Sequence, residues 1–325
     1  MTAHDLREPS ESEAADAQPA AEHDAAKPRA DAKRRAQRTY TRQLLPVSPT
    51  RAVVIATTAT MAAIGIWFVL FGLVLSGLYE NHAQHLLYSQ LRQGLAQQTV
   101  PYGGVMKPGT PIARITAPQI GLSQVVVEGT SSQELVSGPG HLPTTPMPGQ
   151  AGNSEIFGRS ALYGGPFGHV HALKRGANIT VVTQQGVFGF RVIDVRGPGD
   201  PVPSTAQLGP SSLTLVTSAA SGWRAGWAPN YVIYADATLV SGKLQPAPAR
   251  RPTVVPVADG YLVGDTSQVV LLPYWVLGLL LVCGGLGWAS TRWTVWQLWA
   301  VGAPAVAAML WITTNSAMLL LPNLT

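Results

Sequence analysis

The sequence contains a single cysteine, Cys283, among 325 residues. One thiol forms no disulfide within the chain and supplies no cysteine cluster for a metal ion, so both features are excluded. Charged residues make up only 12% of the chain, against about 25% in a typical soluble domain, while hydrophobic residues make up 46%. This balance suggests that part of the chain lies in a membrane.

Three blocks of the sequence, 52–79, 269–291 and 294–321, contain no charged residue. A helix that crosses a bilayer needs roughly 20 apolar residues, so each block is long enough to do so. Because only Arg292 interrupts the last two blocks, we predict that they form a tight hairpin; a pair of buried core helices is the alternative. Cys283, inside the second block, is interpreted as a small apolar packing residue.

A cluster of basic residues just before the first block predicts its orientation. The cluster consists of Lys33, Arg34, Arg35, Arg38, Arg42 and Arg51. Positive residues beside a span stay in the cytoplasm, so the N-terminus is predicted to be cytoplasmic and the segment after the first span extracytoplasmic. The prediction is a multi-pass plasma-membrane protein with three spans. The net charge of +5 then needs no nucleic-acid partner, and we predict none.

The segments outside these blocks differ in composition. Residues 1–51 are polar and basic and predict a disordered cytoplasmic tail. Residues 80–111 predict a juxtamembrane amphipathic helix followed by a linker, and residues 241–268, which are rich in proline, predict an extended spacer back to the membrane. The apolar stripe of the amphipathic helix consists of Leu86, Leu87, Leu91 and Leu95.

Residues 112–240 alternate short β-branched runs with Gly and Pro turns, which indicates a closed or sandwiched β domain. The run VVTQQGVFGFRV predicts a hairpin that turns near Gln185–Gly186, and a short helix is predicted near Phe167–Lys174. The predicted fold class is therefore mainly β, with three transmembrane α-helices.

Several motifs in this domain resemble the sortase domain of Gram-positive bacteria, most closely the actinobacterial class E type. In chain order they are Gly138-Pro139-Gly140-His141, Pro148-Gly149-Gln150, GRSALYG at 158–164 and SLTLVTS at 212–218. The resemblance implies an extracytoplasmic eight-stranded β-barrel without a cofactor. It also implies transpeptidation, in which a thiolate attacks a sorting-signal peptide and an amine resolves the thioester. A His handles protons and an Arg steadies the oxyanion.

The groups that this chemistry requires are replaced in this sequence. Compared with the family motifs, Arg159 stands at the position of the His, Ser218 at that of the Cys and Asn230 at that of the Arg, although Arg224 lies nearby and could supply the charge. A guanidinium exchanges no proton near neutral pH, and a serine hydroxyl is a poor nucleophile without an adjacent base. We therefore predict a pseudo-sortase that is catalytically inactive.

The cleft of active relatives would remain as a groove, and its predicted binding residues are Arg159, Tyr163, Ser218, Trp223, Arg224 and Trp227. The predicted role is binding of a peptide or surface protein, or scaffolding of a cell-envelope assembly. Polar residues of the third block could hydrogen-bond to neighbouring helices in such an assembly; they are Gln297, Thr313, Thr314, Asn315 and Ser316.

Two other interpretations stay open. One is a transpeptidase or peptidase that uses Ser218, with a base supplied by His141, His169 or His171. The other is a structural envelope protein with no ligand, which a filled or flattened cleft would favour. For Arg159, a surface salt bridge or a solvated side chain is the alternative to ligand binding.

Overall fold

The computed structural model describes residues 49–219, 231–249 and 251–325. The predicted tail, except for its last residues, therefore lies outside the described residues. Four of the predicted site residues also lie outside them: Trp223, Arg224, Trp227 and Asn230.

The first helical run of the described chain is long. Helix α1 covers Pro49–Leu70, a π-helical segment covers Phe71–Leu75, and α2 covers Ser76–Gln97. Further along the chain, α3 (Thr205–Leu208) is a single turn. The two helices of the last part of the chain are α4 (Gln268–Ala289) and α5 (Val295–Leu319).

The leucine stripe of α2 packs on the barrel side, with one exception. Leu91 is buried with Val100 and Val125, and Leu87 and Leu95 pack against the same cluster. These leucines follow one another at intervals of four residues, so they lie on one helix face. Leu86, however, is 52% exposed, because a shift of one residue turns a side chain by about 100° around the helix. Its assignment to the stripe was wrong.

Eight strands form a closed barrel in the order β1-β2-β3-β4-β7-β8-β6-β5. The strands are β1 (Pro111–Ala117), β2 (Leu122–Glu128), β3 (Gly140–His141), β4 (Gly152–Phe157), β5 (Asn178–Thr183), β6 (Gly186–Arg196), β7 (Ser211–Ala219) and β8 (Tyr231–Ser241). This barrel confirms the predicted mainly β fold. The β5–β6 hairpin turns at residues 184–185, as expected, whereas the predicted helix near Phe167–Lys174 is only a 3-10 turn at Val170–Ala172.

The barrel core consists of inward-facing aliphatic and aromatic side chains, among them Ile115, Val181, Phe190 and Leu213. Strand β7 is the most deeply buried, since every residue from Ser211 to Ser218 is shielded from solvent. It pairs in parallel with β4, with Phe157 opposite Val216. Parallel neighbours end at the same edge of a sheet, so the residues after Phe157 come to lie beside Thr217 and Ser218.

Helices α4 and α5 form the hairpin that the sequence predicts. A Cβ on Gly278 would lie 2.5 Å from Cε of Met309, and one on Gly302 would lie 2.9 Å from Cδ2 of Leu286. The two helices therefore approach closely because glycine stands at these contacts, as is common in membrane helix pairs. In the described part of the chain, three helices are long and apolar enough to cross a membrane: Met61–Gln97, Gln268–Ala289 and Val295–Leu319.

Candidate functional site

The parallel pairing of β4 and β7 brings two of the predicted motifs together. The amide of Gly158 donates to the carbonyl of Val216 at 2.9 Å, and the hydroxyls of Ser160 and Ser218 lie 3.1 Å apart. A side chain at position 158 would collide with the ring of Phe167, which lies 2.4 Å from an ideal Cβ. The glycine of this motif is thus required by the close approach of Phe167, and Ser160, two residues further on, lies beside Ser218.

Arg159 is completely buried, although it carries a guanidinium. Its Nε donates to the carbonyl of Leu135 at 3.2 Å and its Nη2 to that of Ser132 at 3.0 Å. Its Nη1 lies 3.5 Å from the carbonyl oxygen of Thr325, and the group stacks 4.9 Å from the ring centroid of Tyr163. Burial lowers the pKa of Arg159 to about 10, so the side chain is still charged at neutral pH.

This environment contradicts the alternative prediction that Arg159 forms a surface salt bridge or is solvated. The side chain has no exposed surface, and its hydrogen-bond acceptors within the described ranges are all main-chain oxygens. A buried arginine is tolerated when its donors are paired in this way. Arg159 therefore holds main-chain segments together around the cleft.

The ring of Tyr163 packs against the Arg159 guanidinium, and Tyr163 connects the barrel to the helices. Its backbone has a left-handed conformation (φ 51°), and its amide donates to Oγ of Ser76 at 3.0 Å. Its hydroxyl donates to Oδ1 of Asn315, on α5, at 2.8 Å. Burial raises the pKa of Tyr163 to about 12, an effect that the nearby Arg159 charge opposes. Tyr163, predicted to be a binding residue, is thus fully enclosed.

Ser218 is 4% exposed, and its hydroxyl forms hydrogen bonds within the protein. It donates to the carbonyl oxygen of Leu324 at 2.6 Å and lies 3.1 Å from Oγ of Ser160. Within the described residues, the partners of this hydroxyl include neither an imidazole nor a carboxylate. A nucleophilic serine needs such a base within about 2.6–3.2 Å, so the described site lacks the group that would activate Ser218.

The three histidines named as possible bases have other surroundings. His141 is buried, with Nδ1 3.0 Å from Oε2 of Glu128 and Nε2 3.0 Å from the carbonyl of Pro146. It therefore has a structural role. His169 and His171 lie at the 3-10 turn, with ring centroids 6.4 Å apart. The described hydrogen bonds connect none of the three to Ser218.

The cleft beside Ser218 is filled by Pro322–Thr325, which we call the 322–325 segment. The carbonyl oxygen of Leu324 accepts hydrogen bonds both from the amide of Ser160, at 3.0 Å, and from Ser218. The amide of Asn323 donates to the carbonyl of Val263 at 3.0 Å. Asn323, Leu324 and Thr325 are all completely buried.

The Leu324 side chain occupies an apolar pocket. The pocket is formed by Leu135, Leu142, Phe157 and Val216, with Val232, Tyr234 and Leu262 packed around them. Sequence reasoning missed this contact, because no predicted domain included residues 322–325. The available signal was Pro322, three residues after the end of α5, with Leu324 following it.

The segment between the barrel and α4 is attached to the barrel at several points. Nη1 of Arg251 donates to Oε1 of Glu128 at 2.6 Å, in the same buried cluster as His141. The hydroxyl of Tyr261 donates to Oε2 of Glu155 at 2.8 Å. The proline-rich residues therefore follow the barrel surface and help to form the wall of the cleft.

Residues 115–238 match the family model described as the sortase domain. Among solved structures, the sortase E of Streptomyces avermitilis is 26% identical; the match covers 42% of this chain and 91% of that chain, with a TM-score of 0.35. Sortase E1 from Streptomyces coelicolor, solved with a tripeptide in the active site, is 24% identical, with coverages of 42% and 92% and a TM-score of 0.35.

A third similar structure is the sortase D5 transpeptidase of Clostridium perfringens, with 22% identity, coverages of 49% and 99%, and a TM-score of 0.40. No curated protein matches the chain. The closed eight-stranded barrel has the sortase fold, which confirms the family resemblance of this domain.

Proposed function

We propose that this protein carries its sortase domain as a catalytically inactive module on the outer side of the cell membrane. The observation that carries the proposal is the environment of Ser218. Its hydroxyl donates to the chain's own Leu324 carbonyl, and a buried Arg159 stands where the family has its proton-transferring His.

The chemistry of these two residues supports hydrogen bonding and not proton transfer. To attack a carbonyl carbon, the Ser218 hydroxyl must lose its proton to a base. Even with the pKa lowered to about 10 by burial, the Arg159 guanidinium holds its protons near neutral pH and cannot accept another. The pair thus binds carbonyl groups without activating them.

The connectivity of the chain supports the proposed membrane placement. Two candidate spans, α4 and α5, lie between the barrel and the 322–325 segment. A chain that crosses the membrane twice returns to the side from which it left. Ser218 and Leu324 are in contact, so they must lie on the same side of the membrane, and two crossings satisfy this requirement. With the basic cluster in the cytoplasm, the barrel lies outside a plasma membrane that the chain crosses three times. The host proposed from the family resemblance is Gram-positive and actinobacterial.

Contacts of α5 favour a role in a cell-envelope assembly. Nε1 of Trp67 donates to Oγ1 of Thr314 at 2.9 Å, and the rings of Phe71 and Trp311 meet edge to face at 4.9 Å. These contacts, with the one from Tyr163 to Asn315, join the first helical run, the hairpin and the barrel. A single helix would tether a domain, so the integrated hairpin supports scaffolding. The filled cleft beside Ser218 favours a structural envelope protein, and binding of a surface protein or peptide in that cleft requires the 322–325 segment to leave.

The test uses the full chain in detergent, with a fluorophosphonate probe, a thiol-directed probe and a panel of sorting-type peptides. An active sortase assayed in parallel demonstrates that the peptides are competent substrates. We expect neither labelling nor cleavage above the level of Ser218→Ala. Labelling or cleavage that disappears in Ser218→Ala would overturn the proposal in favour of a transpeptidase or peptidase that uses Ser218.

A further inference from the structure

The groove beside Ser218 is occupied by a segment of the same chain, the 322–325 segment. We infer that the 322–325 segment is a built-in ligand of this groove, and that a separate extended peptide of similar chemistry binds there only when the segment has left. The inference rests on the proposed function and adds both a ligand class and a regulation to it.

The main chain of the segment is bound as a peptide ligand would be. Two donors, the Ser160 amide and the Ser218 hydroxyl, converge on the single carbonyl oxygen of Leu324 at 3.0 and 2.6 Å. Peptide grooves recognise extended chains by such main-chain hydrogen bonds, while pockets for side chains provide specificity. The two serines therefore have a positioning role at the cleft that needs no catalysis.

The side chain of Leu324 provides the apolar part of this recognition. It is fully buried in a pocket whose walls come from β4, β7 and the loop that contains Leu135. Removing the apolar surface of a leucine from water stabilises the bound state. The pocket therefore selects a branched aliphatic side chain at this position.

Asn323 supplies a second point of recognition. Its Nδ2 donates to the carbonyls of Thr130 and Gly260, at 2.8 Å each. Thr130 is itself held by Asp259, whose Oδ1 accepts from the Thr130 amide at 2.7 Å. The amide of Asn323 thus bridges the barrel and the segment before α4, and a carboxylate here would lose this pairing because it has no proton to donate. The ligand class is an extended peptide with an uncharged amide followed by a branched aliphatic residue.

The attachment of the segment explains why it would outcompete a free peptide. Two residues join the segment to α5, which ends at Leu319. The end of α5 packs against Phe71 and Tyr163. A ligand tethered in this way has an effective concentration of the order of millimolar. A peptide of comparable affinity added at micromolar concentration is therefore excluded until the segment is removed.

The experiment measures binding of a fluorescein-labelled peptide Leu-Leu-Pro-Asn-Leu-Thr by anisotropy to the full chain in detergent micelles. The partner variant is the same protein with residues 322–325 deleted. The control probe is the same peptide with the Leu324→Asp change. We expect the deletion variant to bind the native peptide at least tenfold more tightly than the unaltered protein does, and to bind the control probe at least tenfold more weakly than the native peptide.

Circular dichroism tests whether the deletion variant is folded. If the deletion variant is unfolded, the full-length Leu324→Asp variant is used in its place. Equal binding by the unaltered protein and the folded variant would overturn the inference, as would a folded variant that does not bind. Mass spectrometry of the peptide separates this inference from the proposed function. Binding together with Ser218-dependent cleavage would leave the built-in ligand standing and refute catalytic inactivity.

Discussion

The hydroxyl of Ser218 and the carbonyl of Leu324 form a 2.6 Å hydrogen bond although 106 residues separate them in the chain. The proton that a nucleophilic serine would have to give up is thus directed at another part of the same molecule. The Ser160 amide points at the same oxygen. The two donors of the cleft therefore converge on one main-chain oxygen of the same chain.

Replacing Leu324 by alanine should destabilise the protein by about 2–5 kcal/mol, because the side chain is fully buried and its loss leaves a cavity. The measurement is unfolding of the full chain in detergent, followed by circular dichroism. Leu244→Ala is the matched control, since Leu244 is exposed and its truncation should change stability by only about 0.5 kcal/mol. Equal effects of the two variants would contradict the pocket assignment.

A thiol placed at position 218 should react slowly with maleimide. The measurement is the alkylation rate of Ser218→Cys in a Cys283→Ala background, because the side chain of residue 218 is almost inaccessible beneath the 322–325 segment. Cysteine reactivity requires access as well as a thiolate. Deleting residues 322–325 should raise the rate at least tenfold, while exposed Val254→Cys should react rapidly with or without the deletion. A rate at position 218 that does not respond to the deletion would count against a covered cleft.

Arg159→Lys should destabilise the protein by about 1–3 kcal/mol although the charge is kept. The guanidinium reaches the Leu135 and Ser132 carbonyls through two different nitrogens, and a single ammonium group cannot reproduce this fork. At least one buried carbonyl then loses its donor. Denaturant unfolding checks the prediction. The control is Arg191→Lys, which changes an exposed side chain of β6 and should leave the free energy of unfolding almost unchanged. An equally small change for Arg159→Lys would contradict the prediction and show that the carbonyl contacts contribute little to stability.

Tyr163 should make stability fall as the pH rises from about 10 to about 12. Its pKa is about 10 in the unfolded chain, and burial raises it to about 12 in the folded protein. Between these values the folded state binds more protons than the unfolded state, so unfolding becomes more favourable with increasing pH. Burial also raises the pKa values of Tyr234 and Tyr261, so the test is a difference between variants.

The measurement is the pH dependence of the unfolding free energy for Tyr163→Phe. This variant should show a shallower decline above pH 10 than the unaltered protein, since it lacks one titrating group. At neutral pH it should be less stable by about 1 kcal/mol, because the bond to Asn315 is lost. Exposed Tyr231→Phe should leave both quantities unchanged. An identical slope in Tyr163→Phe would rule out the proposed contribution.

The architecture was largely predictable because it follows local patterns. The β-branched runs between Gly and Pro turns predict the strands, and the uncharged blocks predict the long helices. The leucine stripe predicts the buried face of α2 apart from Leu86, which is exposed. Gly158 could be expected from the family motif, and its physical reason, the ring of Phe167, is visible only in the structure.

The state of the cleft was not predictable from such patterns. The contact between Ser218 and Leu324 is non-local, and four residues after a helix have no periodicity that would indicate burial. Arg159 is a second example. Arginine is almost never fully buried unless its donors are paired, and the carbonyls of Ser132 and Leu135 that pair it are set by the path of a loop. Sequence reasoning singled out Arg159 and Ser218 and missed the main-chain carbonyls that surround them.

Hydrogen exchange at the Ser160 amide tests the central claim, that the chain's own 322–325 segment fills the cleft. In the unaltered protein this amide donates to Leu324, whereas the amide of Gly158 donates to Val216 within the barrel. We predict that deleting residues 322–325 speeds exchange at Ser160 by at least tenfold and leaves Gly158 protected. Unchanged protection of Ser160 in the folded deletion variant would contradict the claim.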